Sequence, residues 1–271
     1  VSEQNKRTSY QTDLSDKEWQ KVETCIPKPK TKRGRKRQHP LRELINAIFY
    51  VVRSGCAWRL LPHDFPPWKT VYHYFRIWRL EGIWECMNVA LRTELRIAEG
   101  RNSQPSAAIL DSQSVKTTET PGVRGYDAGK KVKGRKRHIL VDTMGLLLMV
   151  VVHTADIQDR DGAKQVLEKV KATLSRLILI WADGGYAGQL VDWVKASCGW
   201  VMEIVKRNDD IKGFQVLPHR WVVERTFGWL GRYRRLSKDY EGLTQSSEAL
   251  VYAAMIHLMV KRLGRIKSSS P

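Results

Sequence analysis

Two short apolar runs in this chain each end on an aspartate: Ala107-Ala-Ile-Leu-Asp111 and Leu177-Ile-Leu-Ile-Trp-Ala-Asp183. Runs of this length, rich in Ile and Leu and bounded by polar or glycine-containing stretches, read as buried strands. Between them, residues 136–142 and 146–154 flank an Asp-Thr-Met-Gly turn, the signature of a β-hairpin. Residues 159–174 place Val166, Leu167 and Val170 at helical spacing, a helix is expected over 190–197, and residues 200–205 form another strand pattern. A helix bearing Glu224 and a long amphipathic helix over 247–263 follow. The order β, β, β, α, β, α, β, α predicts an α/β fold, a mixed sheet with helices on both faces. Right-handed crossovers let the strands ending at Asp111 and Asp183 lie parallel and adjacent, so both carboxylates converge at one sheet edge.

A third carboxylate belongs to Arg220-Trp-Val-Val-Glu224-Arg-Thr-Phe-Gly-Trp-Leu-Gly231. At about 100° per residue, Arg220, Glu224, Gly228 and Gly231 share roughly a quarter of the helix circumference. Val223, Phe227 and Leu230 form a separate apolar stripe that faces the core. Two interior glycines cost about 1 kcal/mol each relative to alanine, which makes sense if something must approach the Glu224 face closely. The competing reading is an ordinary surface glutamate with arginine neighbours.

Three acids around one point repel unless a cation neutralises them, and hard divalent ions with oxygen ligands do this. Two such ions about 4 Å apart can clamp the attacking and leaving oxygens of a phosphodiester. Strand-end capping is the alternative role for Asp111 and Asp183. Asp142, Asp156, Asp159 and Asp161 are accounted for by turn and N-cap roles. His138, His153 and His219 show no paired spacing and are read as surface or hydrogen-bonded core residues. The chain contains neither a Walker loop nor a GxSxG motif.

The partner is suggested by charge. The chain carries 47 Lys and Arg against 28 Asp and Glu, a net charge of +19 over 271 residues. A basic excess of this size points to a polyanion, nucleic acid first, with ribosomal or membrane-surface binding also compatible with charge alone. The four widely spaced cysteines form neither a zinc knuckle nor a CxxC pair and read as reduced core thiols of a cytoplasmic protein. No signal-peptide pattern is seen, and the longest apolar run, residues 146–152, is far too short to span a bilayer.

Residues 1–12 are expected to be a loose tail. Ser15-Asp-Lys-Glu18 is a capping box that starts a helix over 16–25, with Leu14 and Trp19 as its hydrophobic staple. Between Pro27 and Arg37 lie seven basic residues in eleven, with two prolines, read as a solvated arm over 27–39 whose Arg33, Arg35, Lys36 and Arg37 contact DNA backbone. Helices are expected over 40–53, from Pro67 onward, and over 83–98. The second of these turns Val71, Phe75 and Trp78 inward and presents Lys69, His73 and Arg76, the grammar of a helix-turn-helix reader; a plain helical bundle is the alternative. The polar stretch 99–105 marks a boundary between a helical domain over 13–102 and an α/β domain over 103–271.

Residues 122–137 carry seven basic residues in sixteen and four glycines. They read as a mobile cationic loop beside the Asp111 strand, with Lys130, Lys131, Lys133, Arg135, Lys136 and Arg137 as backbone contacts. Trp221 and Trp229 flank the Glu224 face and are read as core anchors, stacking on an unpaired base being the alternative.

Asp111-Ser-Gln-Ser, Asp183-Gly-Gly-Tyr-Ala-Gly and Arg220-x-x-x-Glu224-Arg-Thr-Phe-Gly-Trp-Leu together resemble the three signature blocks of a DDE transposase of the insertion-sequence-5 family. Arg53-Ser-Gly-Cys-Ala-Trp-Arg-Leu-Leu-Pro and Phe65-Pro-Pro-Trp-Lys-Thr-Val-Tyr resemble that family's N-terminal helical region. The resemblance covers about residues 13–263. It implies an RNase H-like fold and dependence on Mg²⁺, as two ions for which Mn²⁺ can substitute. It also implies Asp111, Asp183 and Glu224 as catalytic metal ligands. Two positions depart from the related pattern: Leu217 stands where a Tyr is found and Gly231 where a Lys is found. Arg220 is retained to steady Glu224 or the scissile phosphate, and Arg232, or the Arg234-Arg235 pair, is a candidate replacement for the Lys as the phosphate contact.

The resulting expectation is a cytoplasmic, nucleoid-associated enzyme that binds the terminal inverted repeats of a mobile element as a homo-oligomer, taken as a dimer. Metal-activated water would cut one strand to leave a 3′-OH, which would attack target double-stranded DNA directly. Two other readings share the charge and helices: a catalytically idle DNA-binding derivative, and a metal-dependent endonuclease without strand transfer.

Overall fold

The capping box forms as the spacing requires. In the computed structural model, which describes residues 7–27, 37–120, 122–205 and 219–266, helix α1 (Asp16–Glu23) begins with the Glu18 N–H donating to Ser15 and the Ser15 N–H donating to Glu18. Helix α2 (Leu41–Ser54) buries its apolar face from Leu44 to Val52 and stops at Gly55, whose φ is 78°. A Cβ there would lie 2.8 Å from the Cβ of Arg234, so both backbone and neighbour demand glycine. Helices α3 (Trp68–Leu80) and α4 (Ile83–Ala98) follow. Val71, Phe75 and Trp78 point inward on α3, leaving Lys69, His73 and Arg76 exposed.

The sheet contains β1 (Ala107–Lys116), β2 (Gly125–Asp127), β3 (Val132–Asp142), β4 (Leu147–Thr154), β5 (Leu179–Ala182) and β6 (Val201–Ile204). Its order is β2-β3-β1-β5-β6, with β4 also pairing β3. The β3–β4 hairpin is antiparallel, as the turn signal predicts, and β1, β5 and β6 are parallel to one another. Helices α5 (Asp159–Val170) and α6 (Gln189–Cys198) cover one face through Val166, Leu167, Leu190 and Val194. Helices α7 (Trp221–Gly231) and α8 (Thr244–Leu263) cover the other.

Several expectations change. Strand β1 continues well past Asp111, because β3 pairs with it as far as Lys116 opposite Gly134. The cationic stretch 122–137 is largely hairpin rather than loop, with β2 folded onto the start of β3. Residues 7–12 are packed, not loose. Arg7 pairs with Asp13 at 2.7 Å and Glu43 at 2.8 Å, and Tyr10 stacks on Phe65. The helical and α/β regions share one apolar core: α1–α4 and α8 pack together with Ile109, Ile139 and Val150 of the sheet. Arg96 of α4 reaches Asp142 of β3 at 2.5 Å, both side chains almost fully buried. Asp142 also accepts from the N–H groups of Met144 and Leu146, so its turn role stands beside this ion pair. The cysteines are free, but Cys86 is exposed and Cys25, Cys56 and Cys198 are half-buried rather than core. Among the described residues, no helix is long and apolar enough to cross a membrane.

Candidate catalytic site

Register delivers the two aspartates. Ala107, Ala108 and Ile109 of β1 pair in parallel with Leu179, Ile180 and Trp181 of β5. The same offset carried two residues further sets Asp111 level with Asp183, just beyond the end of β5. Asp183 accepts from the Gly185 N–H at 2.8 Å and caps the turn that follows. Its strand-end role and its place at the site are therefore compatible.

Asp111 accepts from the Ser112 N–H at 2.7 Å. One nitrogen of the Arg220 guanidinium lies 3.5 Å from Asp111 Oδ2 and 3.4 Å from Asp183 Oδ2. Burial pushes the Asp111 carboxyl up to about 6, and the Asp183 charge adds to that, although the Ser112 N–H and Arg220 oppose it. The pair thus sits where a cation is wanted, and Arg220 supplies one from the chain itself. This is the donor chemistry that suits a hard divalent ion.

Helix α7 carries the third acid. It is tied to the β3–β4 turn by Thr226, which donates to the Gly145 carbonyl at 2.9 Å, and by Arg225, which donates to the Met144 carbonyl at 3.0 Å. Val223 and Leu230 are buried and Phe227 is half-buried against the core, as the apolar stripe predicts. Arg220 stands at the N-cap position without a side-chain cap hydrogen bond, and Glu224 lies one turn on, exposed. Among the described residues, no three His, Cys, Asp or Glu side chains are gathered closely enough to hold a metal. Asp111, Asp183 and Arg220 are brought together; Glu224 shares the Arg220 face without joining them. A Cβ at Gly228 or Gly231 would meet nothing within 4 Å, so the face is bare, as expected.

A polar shell surrounds Asp111 that the sequence reading does not anticipate. Ser112 Oγ donates to Asp159 at 3.0 Å, and Lys136 reaches Asp159 at 2.9 Å and Asp127 at 3.5 Å. Burial raises the Asp159 carboxyl, but the hydrogen bond and charge of Lys136 outweigh it and hold it below the usual range. Gln158, not Asp159, is the N-cap of α5. Lys136 precedes the apolar run of β3, whereas the polar neighbours of Asp159 carry no such signal. His138 and His153 are buried and hydrogen-bonded to each other at 2.8 Å, in line with the core reading. His219 stacks on Trp181 at 4.0 Å and nearly parallel, fixing the chain just before Arg220.

The expected DNA contacts divide. Lys69, His73, Arg76, Lys131, Lys133, Arg37 and Arg232 are exposed. Lys130 is exposed along its length while its Nζ donates to the Ser112 carbonyl at 3.2 Å. Three expected contacts are instead structural. Arg135 binds Asp239 and the Glu241 carbonyl, Lys136 is held as described, and Arg137 donates to the Leu236 and Lys238 carbonyls; all three are buried. The C-terminal segment 236–242 covers the face of β3 that carries Arg135 and Arg137, and on the other face Lys136 meets Asp127, Asp159 and the Ile157 carbonyl. Arg33, Arg35, Lys36 and Leu217 lie outside the described residues. Trp221 is 43% exposed, so it is not a core anchor. Arg225 lies between Trp221 and Trp229, 4.5 and 4.6 Å from their ring centres, and Arg262 stacks on Trp229 at 4.1 Å.

A mixed sheet with aspartates level on adjacent parallel strands, and a helix bearing a glutamate beside them, defines an RNase H-like protein. Residues 102–259 match the family model described as Transposase DDE domain, and residues 14–88 match one for candidate transposases of the IS4/5 family. The chain belongs to the DDE transposase family, whose members generally use divalent metal ions. A candidate transposase of insertion sequence element IS402 from Burkholderia cepacia is 29% identical over 115 residues, 40% of this chain and 54% of the relative. An uncharacterized 16.2 kDa protein of the same element is 28% identical over 124 residues, 44% of this chain and 78% of that relative. The chain therefore spans about half the length of the first of these relatives.

Proposed function

We propose that this protein is a Mg²⁺-dependent transposase that binds the terminal inverted repeats of a mobile element, cuts a strand and joins the new end to target DNA. The observation that carries this reading is the level pair Asp111 and Asp183 bridged by Arg220, in a chain of the DDE family. In the first step a water oxygen bonds to phosphorus and the bond from phosphorus to the 3′ oxygen breaks, leaving a 3′-OH and a 5′-phosphate. In the second, that 3′-OH bonds to a target phosphorus and displaces another 3′ oxygen. The hydrolysis is downhill by itself, and the joining step forms one phosphodiester for the one it breaks, so neither ATP nor a covalent protein intermediate is needed.

Asp111 and Asp183 would hold the cation pair, with Glu224 completing the ligand set. Divalent ions supply, when bound, a Lewis acid for the phosphoryl oxygens and a lowered pKa for water. Arg220 then turns from a counter-ion of the aspartates into a donor for the phosphate. Arg37 and the exposed face of α3, with Lys69, His73 and Arg76, bind the DNA ends; Lys130, Lys131 and Lys133 approach the backbone beside the site. The working assembly on DNA is a homo-oligomer, a dimer in the simplest case.

The test incubates the protein with labelled end-bearing DNA and a target plasmid, in Mg²⁺ or EDTA. Joined products that vanish in EDTA and with Asp111→Asn, Asp183→Asn or Glu224→Gln support the reading. Nicks without joining point to an endonuclease, and binding without cleavage in any divalent ion points to an idle derivative.

A further inference from the structure

Beyond the end of α7 the surface opens into a pocket of about 440 Å³ between α2, α7 and the C-terminal half of α8. Its charged walls are Arg53, Arg232, Lys261, Arg262 and Arg265, and no carboxylate lines it among the described residues. What holds these cations in place is mostly neutral. Arg53 donates to the Arg232 carbonyl at 2.6 Å and lies over the Tyr233 ring. Arg262 rests on Trp229. Lys261 is the exception, tied to Glu18 at 2.9 Å. Carbonyls and ring faces orient a guanidinium without cancelling its charge, so several like charges converge with little compensation. Gathering them is unfavourable unless an anion is bound there.

The position of the pocket narrows the choice of anion. The bare strip of α7 runs from Glu224 past Gly228 and Gly231 to Arg232 at the pocket mouth, with nothing near a Cβ at either glycine. Eight residues of helix span about 12 Å. A B-form strand rises about 3.4 Å per nucleotide, so this distance corresponds to roughly three or four nucleotides.

We propose that the pocket is a seat for a backbone phosphate of the DNA strand, three or four nucleotides from the one that passes Glu224. This rests on the reading above that the protein processes DNA. The two glycines keep the path between the sites free of side chains, and the pocket sets the direction in which the strand leaves. Trp229 and Tyr233 exclude water from one side of the Arg262 and Arg53 guanidiniums, which strengthens their hold on a phosphate oxygen.

The experiment measures affinity for a labelled duplex by fluorescence anisotropy across a range of salt concentrations. It uses the full chain and Arg232→Gln/Arg265→Gln, two exposed positions whose side chains make no hydrogen bond or ion pair among the described residues. Each phosphate contact contributes about 0.9 to the slope of log affinity against log salt. The double variant is expected to lose one to two units of that slope and roughly tenfold in affinity near 0.1 M salt, with an unchanged melting temperature. Arg232→Lys/Arg265→Lys should recover most of the slope. A variant that matches the parent in slope and affinity, while the parent binds DNA tightly, overturns the phosphate seat and leaves the DNA reading standing. A parent with no salt-sensitive DNA binding overturns both.

Discussion

Arg220 and Asp183 approach within 3.4 Å, and the same guanidinium nitrogen reaches Asp111, so one arginine bridges the two aspartates. A divalent ion at the site must compete with it. Arg220→Ala should therefore lose about 1 kcal/mol of stability in EDTA, since it leaves partly buried carboxylates facing each other. It should also gain more than the parent on adding Mn²⁺ or Mg²⁺, because binding to the folded state alone raises stability. Thermal melts of both proteins across a metal titration measure this. A metal-induced shift no larger in Arg220→Ala than in the parent would show that the arginine does not compete.

Asp111 gives a prediction of opposite sign for stability and activity. Its folded pKa of about 6 lies above the ordinary carboxylate value, so the folded state holds the proton more tightly. This group's contribution to stability is greatest at low pH and falls as pH rises through about 4 to 6. At pH 7 the ionised side chain is a burden, and Asp111→Asn should raise metal-free stability by roughly 1–3 kcal/mol. Glu224→Gln, at an exposed position, should leave stability within about 0.5 kcal/mol of the parent. Both should abolish strand joining. Urea unfolding at pH 7 in EDTA, beside the joining assay, reads both effects.

Arg96 and Asp142 join the helical region to the sheet through a buried ion pair. Arg96→Met leaves Asp142 charged and buried, which should cost about 3–5 kcal/mol. Adding Asp142→Asn should return part of that loss. The check is the urea midpoint of the single and double variants, read with an unchanged slope against denaturant.

His257 predicts loss of stability in acid. Burial, with Lys261 nearby, pushes its pKa down to about 4, and it sits between the Tyr233 hydroxyl at 3.0 Å and the Thr12 carbonyl at 3.2 Å. The unfolded chain takes up the proton first, so stability present at pH 7 falls as pH drops below about 6.5 and continues to fall to about 4. This one group accounts for up to about 3 kcal/mol. His138 and His153, also pushed down by burial, add to the same trend. Melting temperatures from pH 7 to pH 4.5 should fall less steeply in His257→Gln than in the parent.

Much of this architecture was legible in the sequence, because strands and helices announce themselves by period. The hairpin at Asp142, the strand leading to Asp183 and the inward faces of α3 and α7 follow from spacing alone. So does the convergence of Asp111 with Asp183, since a parallel crossover leaves few other arrangements. What was not legible depends on contacts distant along the chain. Arg135 and Arg137 look like surface cations until residues 236–242 fold over β3 and take their hydrogen bonds. Lys136 and Asp159 look unrelated until β3 and α5 bring them to 2.9 Å. Trp221 reads as core by composition, yet its place on the first turn of α7 leaves it in solvent.

Helix α8 packs against the N-terminal helices and the sheet alike, so the exposed face of α3 and the aspartate pair belong to one rigid frame. A duplex gripped by α3 and presented to Asp111 would meet a span set by that shared core, among the described residues. Spacing errors between a bound sequence and its cleavage point would then have to be absorbed by bending or twisting of the DNA. The protein would act as a gauge, selecting ends by length as well as by sequence.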